Sequence, residues 1–561
     1  MGVQSRCFAS KRGSLPGDLL GEGDMKPERR GLFLVVAVVA LSATLGGIYG
    51  PNVRATTSSF DDIQGSVRSF TQVLDIVQAN YAEHLDVDKA VYEGAIPGMM
   101  RVLDPHSNFF DARQWALNTE EREGKYYGVG MTVIPRGDRT VVMSPYEGTP
   151  AYNAGIRPGD VILKVDDKST EGLNTTEVAD LLRGARGTAV KITMLREGYA
   201  EPLIFTVTRD EIPRHAVELA FEIKPGIGYI RLSGFSEITD RELADAMKQL
   251  NASSLDGLIL DMRGNPGGLL NEAISVGDML LDKNQLIVSH RGRASAERRY
   301  YAVRGNHGNN MPLVILVNNN SASATEIIAG AVQDHDRGVI VGETTFGKGL
   351  VQTVQPLSEN TGLALTIARY YTPSGRLIQR DYKSISLYSY HYERKVPEHP
   401  TEVRLTDSGR EVTGGGGITP DIAVHEPEYN RLQRTLLRAD VFYPFGTSVG
   451  GFTRHYLGTR PVITKDFEAD DAVMADFRKF LASHNVRYTE PELAENLVWV
   501  KRKIKQEVFV STFGQQEGFK VQLEADPQLL AAIDAVPQAR ALYEKARKVI
   551  AERTGSTTYR P

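Results

Sequence analysis

At 561 residues the chain is too long for one compact core, and about 150 residues per domain predicts roughly three to four domains. Hydrophobic residues at 41% and charged residues at 24% describe an ordinary globular chain and exclude a mainly disordered one. Lys+Arg 65 against Asp+Glu 70 leaves a net charge of −5 and no basic surplus for a nucleic-acid backbone, while the single cysteine, Cys7, excludes a disulfide framework and any cysteine-based zinc site.

From Gly31 to Gly50 the chain carries no charge, and Lys26, Arg29 and Arg30 precede this stretch. A helix of that length spans about 30 Å, one hydrocarbon thickness. The basic flank predicts a cytoplasmic tail over 1–30, a single transmembrane anchor over 31–50, and a body held in the periplasm or otherwise outside the cytoplasmic membrane. A cleaved signal peptide is the rival reading. The long leading tail and the lack of a small-x-small site before Pro51 favour the anchor, and Arg29-Arg30 is a weak twin-arginine signal. The lack of cysteine beyond Cys7 suits an exported body.

Residues 54–118 read as helical, with Ile63, Val67, Phe70, Leu74, Val77 and Tyr81 on one face, the pattern of a packing or dimerising helix. LDPHSNFF (Leu103–Phe110) breaks the helix at Pro105. Over 119–211 the pattern changes to short strands: KYYGVGMTVI, TVVMSP, DVILKVDD and AVKITMLREG alternate as strands, with a short helix over Thr176–Ala185. Residues 212–427 alternate strands (GIGYIRL, GLILDMRG, PLVILVNNN, GVIVGE) with helices (ITDRELADAMKQL, ATEIIAGAVQDH), the signature of an α/β layered domain. Tyr382–Thr413 is a polar, Tyr-rich excursion expected at the surface. Over 428–561 the chain is helical again. Thr489–Glu492 forms a capping box, Leu493, Leu497, Val500, Ile504 and Val508 share a face, and a last helix runs from Ala535 to Ile550. The expected fold class is multidomain α/β, with an anchor helix, a helical segment, a β-rich module, an α/β core and a C-terminal helical extension.

Chemistry concentrates in residues 312–352. There a buried strand ends in three Asn residues, followed by small residues and a helix starting near Ala324. Ser323 and Glu326 fit a capping box, so Ser323 has a purely structural reading. The same position also suits a nucleophile, because unpaired backbone N–H groups and a positive helix end help hold an oxyanion. Ala322 and Ala324 leave room for a substrate. No G-x-S-x-G surrounds Ser323, which argues against an α/β-hydrolase. His290, His307 and His335 lack a supporting local pattern and read as surface or loop residues. Lys348, in the loop Phe346–Gly349, is the better base, since desolvation lowers a lysine towards the neutral range. Gly342–Lys348 also fits G-x-x-x-x-G-K, but Gly349 replaces the metal-binding Ser or Thr and a strand follows, so it reads as a decoy for a nucleotide loop. Asp334 lies about 16 Å along the helix from Ser323 and has a structural reading. In the β-rich module, Gly128, Val129 and Gly130 form a nest that suits a peptide's terminal carboxylate, beside a strand edge and a helix.

The motifs LDPHS (103–107), GVGM (128–131), AGIRPGDVI (154–162), DMRGNPGG (261–268), NSASATEI (320–327), GETTFGKGLVQ (342–352), YYTPSGRLIQ (370–379) and GGGITPDI (415–422) follow in an order that resembles the PDZ-bearing carboxyl-terminal processing proteases of the tail-specific S41 family. The resemblance covers roughly residues 60–425. It implies a serine endopeptidase with a PDZ domain over 119–211 and a protease core over 212–427. Carried over, it makes Ser323 the nucleophile, Lys348 the base and Gln352 the residue that orients the lysine. Ala324 and either Gly267 or Gly268 become the oxyanion hole, and Gly128–Gly130 the receptor for a substrate C-terminus. It implies no metal or organic cofactor. The implied partners are proteins or peptides presented by their C-termini, with the membrane contacted through one N-terminal helix and no nucleic acid. Thr325 stands where many relatives carry Ser, and neither Tyr382–Thr413 nor 428–561 matches a family motif. The helices before 119 and after 428 suit either self-association or packing within one chain. A catalytically idle PDZ scaffold is the alternative reading.

Overall fold

The computed structural model describes residues 60–196, 198–386, 388–393, 402–443, 451–459 and 462–554. The apolar stretch 31–50 and the tail before it lie outside them, and no helix among the described residues is long and apolar enough to cross a membrane. Residues 1–87 and 88–561 form two units. In the first, the helix Phe60–Asn80 leaves Ile63, Val67, Phe70 and Val77 exposed, as is Tyr81 just past its end.

In the second unit, the helix Ile96–Leu103 stops just before the Asp104-Pro105 step, as the proline requires. The helix Ala112–Glu123 then carries the chain past the expected boundary at 119 into a β-rich module. Its main sheet runs Met131–Arg136, Arg139–Pro145, Val161–Val165, Ala189–Leu195 and Leu203–Thr208, which leaves Met131–Arg136 at an edge. The run KYYGVGMTVI forms two strands rather than one. Gly130 turns at φ 80°, where an added Cβ would also meet Thr149 at 2.4 Å. The severed piece Lys125–Gly128 pairs with Asp210–Pro213 and so joins the two ends of the module. The helix Thr175–Leu182 covers the sheet and is shorter than expected, because Arg183 is extended and Gly184 follows.

The core is a six-stranded sheet in the order Val217–Lys224, Ile227–Leu232, Gly257–Asp261, Leu313–Val317, Val339–Gly342, Ile422–Ala423. The first strand is antiparallel to the second, and every other pairing is parallel. The runs GLILD, LVILV and VIVG are buried throughout, because parallel strands are covered on both faces. Alternation along the strands divides their side chains between two layers. Leu258, Leu260, Leu313, Ile315 and Val317 pack with the helices Thr239–Gln249, Leu270–Leu280 and Ala324–Asp334. Ile259, Val314, Leu316, Val339 and Val341 pack instead with Leu529, Ala532, Ile533, Val536 and Ala539. A second, antiparallel sheet contains Asn108–Phe110, Leu286–Arg291, Arg298–Tyr301, Leu350–Pro356 and Gly362–Tyr371.

The C-terminal helices therefore divide into two parts. Helices between Arg431 and Phe513 enclose a separate core around Phe442, Phe477 and Ile504. Pro527–Asp534 and Val536–Thr554 form the second layer of the α/β core. Leu529 is 1% exposed within that layer. Leu529→Ala should cost about 2–5 kcal/mol, the range for a buried leucine truncation. Urea unfolding should show it as a lower midpoint with an unchanged slope.

Candidate active site

The strands Gly257–Asp261, Leu313–Val317 and Val339–Gly342 end along one edge of the sheet, where open α/β sheets present their loops to ligands. The loop after the first strand carries Arg263–Gly268, the next carries Ser323 and the third carries Lys348. Ser321 Oγ donates to the Met262 carbonyl at 2.8 Å, Ala322 N–H to the Asn265 carbonyl at 3.0 Å, and Phe346 N–H to the Ser321 carbonyl at 2.9 Å. These bonds join the three loops into one body.

Ser323 precedes the helix Ala324–Asp334 with φ 56° and ψ −113°. That backbone is strained for a residue with a side chain and persists only where its surroundings hold it. It forms a sharp strand-to-helix turn of the nucleophile-elbow kind, without the G-x-S-x-G pattern. Facing it is Gly267 at φ 95°, where an added Cβ would meet Ala324 N and Ser323 Cβ at 2.8 Å. Gly267 N–H donates to Asn265 Oδ1 at 2.9 Å. The N–H groups of Ala324 and of the exposed Gly268 have no acceptor among the described residues.

The expected capping box forms, but its carboxylate does more than cap. Glu326 is fully buried. Its Oε2 accepts the N–H groups of Ser323 and Lys348, both at 2.8 Å. Its Oε1 accepts the Thr345 hydroxyl at 2.5 Å and Gly347 N–H at 2.7 Å. Burial pushes its pKa up, against the pull of these four donors. The glycine-rich turn that resembled a phosphate loop thus holds the protein's own carboxylate, and the strand Leu350–Pro356 follows it, as expected.

Burial lowers the Lys348 pKa, against the Glu326 and Asp104 carboxylates, which favour its charged form. Ser323 and Lys348 are not hydrogen-bonded to each other in this structure. The Gln352 amide donates to the carbonyl of His106 rather than to Lys348. His106 comes from LDPHS, a motif to which the sequence reading assigned no role. Asp104 shapes this loop, accepting the N–H groups of His106 and Ser107 at 2.8 Å and the Ser107 hydroxyl at 2.7 Å. Burial, with the charge of Lys348, pushes the His106 pKa down to about 3.

The other histidines lie elsewhere. His307 is exposed, but His290 and His335 are buried, contrary to the surface reading. His290 lies in a strand with its ring against Tyr300, and His335 Nδ1 is bonded to Asp407 at 2.7 Å. Neither has a local pattern that reveals burial, because strand and helix-end partners far along the chain provide it. Asp334 forms a buried pair with Arg376 at 2.7 Å, in agreement with its structural reading. Asp261 and Arg263, at the root of the Gly267 loop, pair at 2.6 Å. Arg263 also reaches Asp526 at 2.7 Å and Gln528 at 2.9 Å, residues of the C-terminal layer. In the β-rich module, Gly128, Val129 and Gly130 lead into the edge strand Met131–Arg136, and Val129 and Gly130 carbonyls accept Ala151 and Tyr146 N–H groups.

The pattern of peptidase family S41 matches residues 226–384, and that of a PDZ domain matches residues 141–196. The chain is 36% identical over 402 residues to a carboxy-terminal-processing protease of Bartonella bacilliformis, covering 71% of this chain and 81% of that one. It is also 36% identical over 358 residues to the carboxy-terminal processing protease CtpA of Bacillus subtilis, covering 62% and 74%. A solved photosystem II D1 C-terminal processing protease is 30% identical, with coverage of 64% and 87% and a TM-score of 0.34. The chain belongs to peptidase family S41, as a carboxy-terminal processing protease with a PDZ domain.

Glu326→Gln would turn an amide NH2 towards donors, and the Ser323 and Lys348 loops should separate. Turnover should fall by about 100-fold, the cost of a misplacement near 1 Å. Binding of a C-terminal peptide to the PDZ module, measured by fluorescence anisotropy, should not change.

Proposed function

We propose that the chain is a membrane-anchored endopeptidase that receives protein C-termini on its PDZ module and cleaves near them with a Ser323–Lys348 dyad. One observation carries this reading: a single buried carboxylate, Glu326, holds the backbones of both Ser323 and Lys348. Lys348, kept largely from water, takes the Ser323 proton, and Oγ attacks the scissile carbonyl. The Ala324 N–H and the Gly268 N–H receive the oxyanion; Gly267 N–H is engaged by Asn265, which favours Gly268 of the two candidates. The protonated Lys348 then gives its proton to the leaving amine. Water hydrolyses the acyl-enzyme, with Lys348 again as base. Catalytic hydrogen bonds are often long before substrate binds, so the missing Ser323–Lys348 bond is compatible with this sequence. Gln352 acts on the lysine indirectly, by holding the His106 carbonyl.

The edge strand Met131–Arg136 beside the helix Thr175–Leu182 supports capture of an extended peptide by strand addition, with its carboxylate at Gly128–Gly130. The anchor over 31–50 would keep the enzyme on the outer side of the cytoplasmic membrane. The exposed apolar stripe of Phe60–Asn80 supports self-association.

The purified full chain should cleave a loosely folded substrate with an apolar C-terminus, while Ser323→Ala and Lys348→Ala should not. An amidated copy should be spared. If all three forms cleave alike, the dyad assignment is wrong; if all bind the free C-terminus and none cleaves, the scaffold reading gains. Because the base must be neutral, kcat/KM should fall as pH drops through the lowered Lys348 pKa. The midpoint of that limb should lie below the ordinary lysine value of about 10.4.

A further inference from the structure

The excursion Tyr382–Thr413 is more than the surface insertion expected of it. Within the short helical turn Ser389–Glu393, Tyr390 is 0% exposed. A buried hydroxyl requires partners, and this one accepts from Gln379 Nε2 at 3.2 Å and shares a hydrogen bond with His106 Nε2 at 2.9 Å. The Tyr390 ring meets His106 edge-on at 5.6 Å and Phe346 at 5.5 Å. The Arg380 guanidinium lies 4.6 Å from the centres of both the Tyr390 and Phe346 rings. Gln379 Oε1 accepts Gly349 N–H at 2.8 Å. Tyr390 is thus linked to the residues on both sides of Lys348, through Phe346 and through Gln379 to Gly349.

The charges around Lys348 make this placement matter. Glu326, from the helix Ala324–Asp334, and Asp104, from LDPHS, both favour the ammonium form. His106 is neutral over the working range and adds no opposing charge, while Arg380 and His391 face His106 from the insertion side. Burial favours the neutral amine against these two carboxylates.

We propose that Tyr390 is a positioning residue for Lys348, holding the His106 ring and the Phe346 turn closed over the lysine so that water is excluded from the base. The proposal rests on the Ser323–Lys348 reading. The insertion is then part of the proteolytic machinery.

The test measures kcat/KM against pH for the full chain and for Tyr390→Ala, Tyr390→Phe and Lys348→Ala, with an unstructured peptide as substrate. In Tyr390→Ala, water reaches the lysine and the rising limb should move up by about one pH unit, about a tenfold loss at a fixed pH on that limb. Activity should return to the parent plateau at high pH. Tyr390→Phe keeps the ring and should shift the limb less. A packing defect alone would lower the whole profile without moving its midpoint, and that outcome overturns the proposal. So does a gain in kcat at every pH, which would make the segment a plug. Should Tyr390→Ala not fold, Tyr390→Leu retains apolar volume without the hydroxyl and should move the limb in the same direction. An active Lys348→Ala variant would instead remove the dyad reading itself.

Discussion

The site depends on one carboxylate that accepts four hydrogen bonds inside the protein. Glu326 has no water to solvate it, so each lone pair must be satisfied by a group the fold delivers. Those groups are backbone N–H donors at Ser323, Gly347 and Lys348 and the hydroxyl of Thr345. The requirement is mutual, because the buried N–H groups of the strained turn and the glycine-rich loop need an acceptor and find it in this carboxylate. Burying the glutamate thus brings the Ser323 and Lys348 segments together.

The sheet makes this arrangement possible. Three adjacent parallel strands finish at the same edge, and each delivers one loop. Parallel strands of this kind read in sequence as unbroken apolar runs, and GLILD, LVILV and VIVG are such runs. Their ends were readable to within three residues, and with them the positions of Ser323 and Lys348 just beyond. The capping pattern at Ser323–Glu326 was also readable, because it is local.

What was not readable was long-range. The role of Glu326 beyond capping depends on a loop some twenty residues away, and that of His106 on a strand and an insertion much further along. Nothing in LDPHS itself predicts that its histidine is held neutral beside a lysine. KYYGVGMTVI reads as one strand because alternation does not report where a glycine turns. Tyr382–Thr413 reads as surface because its composition is polar. A single buried tyrosine leaves little trace in such an average. The C-terminal helices showed their amphipathic faces, but a face does not name its partner.

The link from Arg263 to the C-terminal layer bears on how the enzyme comes into being. Gln528 lies 265 residues after the arginine it contacts. Chains emerge from the ribosome with the N-terminal part first. A partly synthesised chain can thus contain Ser323, Lys348 and the PDZ module while the Arg263–Gly268 loop still lacks its contacts with Asp526 and Gln528. The contacts of Arg263 with Asp526 and Gln528 thus form late, after the helices that follow residue 526 have been made and docked.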